Sequence, residues 1–236
     1  MSEVTFPATD GDLHGWLAVP TGDGPWPGVV VLHELFGLND DIRGHADRLA
    51  ADGYLALAPD LYSWGLTPRC LAVTLRTLSR GEGRAFTDID AARAWLAADG
   101  RCAGQVAVLG FCMGGGFALA CAPRYDFAAA APNYGTVPRD PVQALAGACP
   151  IVASFGGSDR MLRGHADRLE EALTTLGVDH DVKEYPGASH SFMSRHGGAA
   201  TQVLDRVMGI SYRHDDAEDA WRRILAFFDR HLRAGG

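Results

Sequence analysis

The sequence predicts an α/β fold: a mostly parallel sheet of about eight strands with helices on both faces. Three observations predict it. Short apolar runs recur along the chain, among them Val29-Val30-Val31-Leu32, Val106-Ala107-Val108-Leu109 and Ile151–Phe155. Runs without polar alternation suit strands buried on both faces. Helical patterns separate them, as crossovers between parallel strands require. Finally, 236 residues with 47% hydrophobic and 21% charged side chains suit one globular domain, 1–236, with a full core and no dividing linker.

The elements follow in order. Val4–Ala8 and Leu13–Val19 have no helical segment between them, so a hairpin across Asp10-Gly11 is expected. Val29–His33 leads to a helix near Asp40–Ala51. Tyr54–Ala58 leads through a long segment marked by Pro and Gly to a helix near Asp88–Ala98. Val106–Phe111 leads to a helix from Met113, and Ala128–Pro132 and Ile151–Phe155 read as buried strands. A helix near Arg163–Leu176 and a strand near Asp181–Tyr185 follow. The last helix has the clearest pattern: Trp221, Ile224, Leu225, Phe228 and Leu232 share a face, acids crowd its start, and Arg230 and Arg233 stand at its end. The heptapeptide Arg-Gly-His-Ala-Asp-Arg-Leu occurs at 43–49 and again at 163–169, each time in an expected helix after a strand, with diverging flanks.

Composition narrows the partners. A formal charge of −8 and no block of Lys and Arg argue against nucleic acid or an anionic membrane, leaving a small molecule as the expected partner. The N-terminus has neither a basic leader nor an apolar core of signal-peptide type. Residues 102–123 are uncharged, but their glycines fit a strand, turn and buried helix better than a membrane span. The five cysteines form no CxxC pair and are odd in number, which favours free thiols and a cytoplasmic location. A monomer or a small homo-oligomer is expected.

One of those thiols stands apart. Gly110-Phe111-Cys112-Met113-Gly114 lies where a strand ends and a helix begins. A sharp strand-to-helix turn needs small residues on either side of the turning residue, and it lifts that residue's side chain above the sheet, where helix N–H groups favour a thiolate. This is the G-x-S-x-G elbow with Cys in place of Ser. Read alone, the pentapeptide fits equally a glycine-rich helix start with a cysteine packed as a small apolar residue. The chain order decides for the elbow. Asp159 follows the strand Ile151–Phe155 in the tight loop Gly156-Gly157-Ser158, and His190 follows the strand Asp181–Tyr185. A nucleophile, an acid and a base in that order, each after a strand's C-terminal end, spell a Cys-His-Asp triad.

These residues carry a resemblance. Through His33-Glu34-Leu35-Phe36-Gly37, Ala58-Pro59-Asp60-Leu61-Tyr62, Gly110 to Gly115, Gly157-Ser158-Asp159 and His190-Ser191-Phe192, the chain resembles the dienelactone hydrolase family, a branch of the α/β-hydrolase fold, from about Val4 to Leu232. The resemblance implies that Cys112, Asp159 and His190 are nucleophile, acid and base. It also implies a helper carboxylate at Glu34 that assists thiol ionisation. Glu34 ends an apolar strand at the sheet edge where ligands bind, which suits that role, although a structural ion pair would place it there too. His33-Glu34 does not complete H-E-x-x-H, so no zinc is expected, and the chemistry requires no cofactor. The backbone N–H groups of Leu35 and Met113 are the expected oxyanion hole.

The expected reaction is hydrolysis of a small ester or lactone. Family members that open dienelactones hold the substrate carboxylate with arginines; here Ser194 stands where one is expected, with Arg195 next to it. Arg69, Arg76 and Arg80 form one stripe of a possible helix and are the other candidates for that contact, or else a solvated face. Two further readings share the fold: a non-catalytic small-ligand binder, and a thioesterase, carboxylesterase or peptidase-like hydrolase differing only in its pocket.

Overall fold

In the computed structural model, residues 1–65, 67–195 and 211–233 are described. The strands are β1 (Ser2–Ala8), β2 (Gly11–Ala18), β3 (Trp26–Leu32), β4 (Leu55–Pro59), β5 (Cys102–Phe111), β6 (Ala129–Asn133), β7 (Ile151–Gly156) and β8 (His180–Tyr185). They form one eight-stranded sheet in the order β1-β2-β4-β3-β5-β6-β7-β8. The hairpin β1/β2 and the β2/β4 pair are antiparallel, and every later pair is parallel. This is the α/β-hydrolase fold.

The described helices are α1 (Asp40–Ala51), α2 (Thr67–Arg80), α3 (Arg84–Ala97), α4 (Met113–Cys121), α5 (Pro141–Ala144), α6 (His165–Leu176) and α7 (His214–Leu232). Side chains along a strand alternate between faces, so Phe6 and its partner Leu13 lie on the opposite face from Trp16. Phe6 stacks on Trp95 of α3, whereas Trp16 Nε1 donates to Asp47 of α1 at 2.7 Å. The helices therefore cover both faces, as the fold class requires. On the α1 side, the guanidinium of Arg48 donates two 2.8 Å bonds to Glu218 of α7. Among the described residues, no helix is long and apolar enough to cross a membrane.

The expected hairpin, all eight strands to within a few residues at their ends, and the helices at α1, α4, α6 and α7 stand where the patterns place them. Two stretches differ. The segment after β4 carries a full helix, α2, which buries Cys70, Thr74 and Thr77 and exposes its arginines. Helix α3 starts at Arg84 rather than near Asp88, after Gly83 at φ 125°, a conformation that suits glycine.

The topology decides where a site forms. The chain runs from β3 outward to β4 and then returns to the other side of β3 with β5, so β3 and β5 flank the point where strand order reverses. Open α/β sheets bind ligands at such a point, outside the carboxyl ends of the strands. Register aligns those ends: Leu32 pairs with Gly110, Phe111 with Asn133, Asn133 with Ser154, and Gly156 with Tyr185. Glu34, Cys112, Tyr134, Asp159 and His190 all leave the sheet from this edge.

Candidate active site

The turn between β5 and α4 holds Cys112 at φ 53° and ψ −114°, a strained left-handed backbone for a non-glycine residue. The crossing is tight. A Cβ on Gly110 would lie 2.0 Å from the carbonyl oxygen of Gly114, and one on Gly114 would lie 2.3 Å from that of Leu32. The Cys112 N–H donates to the Asn133 carbonyl at 3.1 Å, which ties the elbow to the end of β6. The sulfur lies above the sheet at the start of α4, with Met113 as the helix's first residue.

His190 Nε2 lies 3.1 Å from Cys112 Sγ, and its Nδ1 lies 2.6 Å from Asp159 Oδ2. The loops that carry the acid and the base brace each other. Gly157 N–H donates to the Tyr185 carbonyl at 2.8 Å, and Ser158 N–H donates to the Ala188 carbonyl at 2.9 Å. Asp159 Oδ1 accepts the Met161 N–H at 2.9 Å, so both of its oxygens are occupied. Burial pushes the Asp159 carboxyl up, but the hydrogen bond and charge of His190 outweigh it and hold the group below its ordinary value. Burial likewise disfavours charge on His190, yet its hydrogen bonds to Asp159 and Cys112 win and raise it to about 10. A carboxylate at Nδ1 leaves Nε2 facing the sulfur.

Glu34 lies buried just past the end of β3. Ser194 Oγ donates to Glu34 Oε1 at 3.0 Å, and the Tyr134 hydroxyl lies 2.9 Å from the same Oγ. Tyr134 also packs edge-on against the His190 ring, with centroids 5.4 Å apart. The loop before it rests on His33, whose Nδ1 lies 2.7 Å from the Glu34 carbonyl and whose Nε2 accepts the Leu61 N–H at 3.1 Å. Tyr62 donates its hydroxyl to the Leu35 carbonyl at 3.2 Å and lies 3.9 Å from Met113 Sδ, bridging the two backbone segments expected to hold an oxyanion.

A cavity of about 420 Å³ opens over Cys112 and His190, with Leu35, Phe36, Leu75, Leu78, Met113 and Met161 among its apolar walls. Of the expected residues, Glu34, Leu35, Cys112, Met113 and His190 line it, and Asp159 lies directly behind His190. The four arginines do not. Arg76 and Arg80 border a separate surface groove with Glu82 and Arg84, and Arg69 is exposed. Arg195 lies over the Tyr212 ring at 4.2 Å, in another depression that includes Asp41 and Trp221. None of the arginines expected to meet a substrate carboxylate lines this cavity: α2 turns Leu75 and Leu78 toward the cleft and its arginine stripe toward solvent. Tyr134 was not singled out from sequence, Ser194 was noted only as standing where an arginine is expected, and Tyr62 and His165 only as members of longer motifs. Only Tyr134 carried a usable signal, as the residue that follows a buried strand's C-terminal end.

The dienelactone hydrolase family model matches residues 13–232. The chain belongs to the dienelactone hydrolase family. Membership makes it a hydrolase of ester or lactone bonds. Two proteins provisionally named carboxymethylenebutenolidase, from Yersinia pestis and Saccharolobus solfataricus, are each 28% identical to it over 97% of its length, covering 88% and 98% of their own. A Klebsiella pneumoniae structure provisionally described as a dienelactone hydrolase superposes with a TM-score of 0.79 at 26% identity, covering 97% of this chain and 98% of that one.

Proposed function

We propose that this chain is a cysteine hydrolase of small, largely apolar esters or lactones, with Cys112 as nucleophile, His190 as acid and base, and Asp159 orienting the imidazole. The observation that carries the reading is the unbroken chain Sγ to Nε2 at 3.1 Å and Nδ1 to Oδ2 at 2.6 Å, at the floor of an apolar cavity. A histidine held protonated near neutrality is the partner that a thiolate needs.

In the reaction, the Cys112 thiolate attacks the carbonyl carbon, and the carbonyl oxygen takes the charge between the N–H groups of Leu35 and Met113. The intermediate collapses as Nε2–H protonates the leaving alkoxide, giving an alcohol, or a ring-opened hydroxy acyl group from a lactone, and a Cys112 thioester. The now neutral His190 takes a proton from water, whose oxygen adds to the thioester. Collapse releases the acid, and the thiolate returns beside a protonated His190. Glu34, held by Ser194, assists ionisation of the thiol as substrate arrives. All five cysteines are free, which fits work in the reducing cytoplasm.

Turnover of p-nitrophenyl acetate by the wild type and by Cys112→Ala tests the reading. The variant is expected to fold and to lose at least a thousandfold in kcat, since removing a triad nucleophile leaves only binding and the oxyanion hole. Retained turnover would remove Cys112 from the chemistry.

A further inference from the structure

The repeated heptapeptide places its two histidines in different surroundings. In α1, His45 stacks on Phe111 with centroids 4.3 Å apart and packs near Trp221, away from the cleft. In α6, His165 is the first helical residue and lines the cavity that holds Cys112 and His190. The triad has no use for it.

Its tautomer is set by the backbone. Val137 N–H donates to His165 Nδ1 at 3.1 Å, and because an amide can only donate, Nδ1 must offer its lone pair. The ring proton of neutral His165 is therefore on Nε2. Burial and the nearby Arg168 charge hold the ring below the ordinary histidine range, outweighing the opposite pull of Asp159, so it is neutral at physiological pH. Among the described residues Nε2–H has no acceptor, and it is not one of the buried polar atoms left without a partner. It is therefore accessible, on a ring that lines the cleft. The cleft's other polar groups are largely committed, with Cys112 and His190 bonded to each other and the Tyr134 hydroxyl to Ser194. A pocket with apolar walls and a few placed polar groups uses the latter to orient its ligand.

We propose that His165 is a substrate-recognition residue whose Nε2–H donates to an uncharged oxygen, a carbonyl or ether, carried by the substrate away from the scissile bond. An uncharged donor among apolar walls suits a neutral acceptor, since burying an anion there without a cation would cost its hydration. The substrate class is thus an oxo- or alkoxy-bearing ester or lactone rather than a plain alkyl one. This rests on the hydrolytic reading of the same cleft.

The test uses two series of esters, one with an ether oxygen moved stepwise along the acyl chain and one with it moved along the alcohol chain. Each is compared with the all-carbon ester of equal length, and kcat/KM is measured for the wild type, His165→Leu and His165→Asn. The second variant keeps an acceptor for Val137 N–H but lacks the reach of Nε2. The expected result is one oxygen position preferred about tenfold by the wild type, the size of one net hydrogen bond, with that preference lost in both variants. A purely structural role would lower both esters in parallel and leave their ratio unchanged. If no oxygen position is preferred while the esters are hydrolysed, or the preference survives both variants, the recognition role is overturned and the hydrolytic reading stands. If the wild type hydrolyses none of them, the hydrolytic reading falls and the recognition role with it.

Discussion

Ser194 Oγ donates a 3.0 Å hydrogen bond to Oε1 of Glu34, across a sequence separation that only the sheet's register closes. Because that hydroxyl's one proton goes to the carboxylate, the Tyr134 hydroxyl, 2.9 Å away, is the donor to Ser194. Glu34 is thus held from behind, by a serine where the family resemblance points to an arginine. Replacing Ser194 with Ala leaves a buried tyrosine hydroxyl without this acceptor, which costs about 1 to 3 kcal/mol by thermal or urea unfolding. It also removes the Ser194 hydrogen bond to the carboxylate, so kcat/KM should fall about tenfold. Glu34→Gln should retain the fold and lose a similar factor, because it keeps shape and removes charge. Normal turnover and normal thiol alkylation in Glu34→Gln would leave Glu34 a structural role alone.

His33 is expected to matter through the peptide that follows it. Its Nε2 accepts the Leu61 N–H, so its proton is on Nδ1 and is donated to the Glu34 carbonyl at 2.7 Å. Burial holds the ring neutral, which preserves this pattern. In a trans peptide the Glu34 carbonyl and the Leu35 N–H point opposite ways, so fixing one aims the other. His33→Leu should lower kcat by about ten- to a hundredfold, short of the 10²–10³ that follows outright loss of an oxyanion donor. The alkylation rate of Cys112 should stay near wild type, because the thiol and its base are untouched. Equal loss in both measurements would mean general disruption instead.

The pH dependence has two halves. In the free enzyme His190 titrates at about 10, so kcat/KM should hold through neutrality and fall as pH rises through that value, when the proton for the leaving group is lost. Acylation removes the thiolate, and with it the Cys112 contribution that raises His190. Deacylation needs the neutral ring, so kcat, where deacylation limits it, should rise with pH well below 10. Stability follows the same sign: the folded value lies above the unfolded one, so the contribution of His190 is full below about 6.5 and is lost between there and about 10. Stopped-flow measurement of the acylation and deacylation phases against pH separates the two halves.

The elbow leaves no room for change at Gly114, where an added Cβ would meet the Leu32 carbonyl oxygen at 2.3 Å and the His33 carbonyl oxygen at 2.8 Å. Those are backbone atoms of β3 and of the loop that carries Glu34. Gly114→Ala should cost several kcal/mol in urea unfolding, or displace the elbow and abolish turnover. Gly44→Ala, at a helix position with nothing within 4 Å of its Cβ, is the control and should be neutral or slightly stabilising.

The central strands were legible because burial on both faces leaves continuous apolar runs such as Val29–Leu32 and Val106–Leu109. Of the residues proposed as the triad, Cys112 and Asp159 stood out because each follows such a run in a short loop, whereas His190 follows the polar strand His180–Tyr185 and stood out by its place in the chain order. Helix α2 was legible only as a possible helix, since its inner face is built partly from Cys70, Thr74 and Thr77, and the stripe that stood out, Arg69, Arg76 and Arg80, is its outer one. A stripe shows that a helix has a face; it does not show what that face meets. The supports of Glu34 were hidden for another reason. Tyr134 and Ser194 stand 60 residues apart and meet only through parallel register and the loop after His190.

The mass of the acyl-enzyme reports on Cys112 directly. A slowly deacylating activated ester is mixed with the protein, the reaction is quenched in acid within the burst phase, and the digest is mapped for the acylated residue. One acyl group is expected on Cys112, released by neutral hydroxylamine as a thioester should be, and none on Cys70, Cys121 or Cys149, whose thiols burial pushes up. An acyl group on a serine, or full turnover with Cys112 free at every quench time, would rule out Cys112 as the nucleophile.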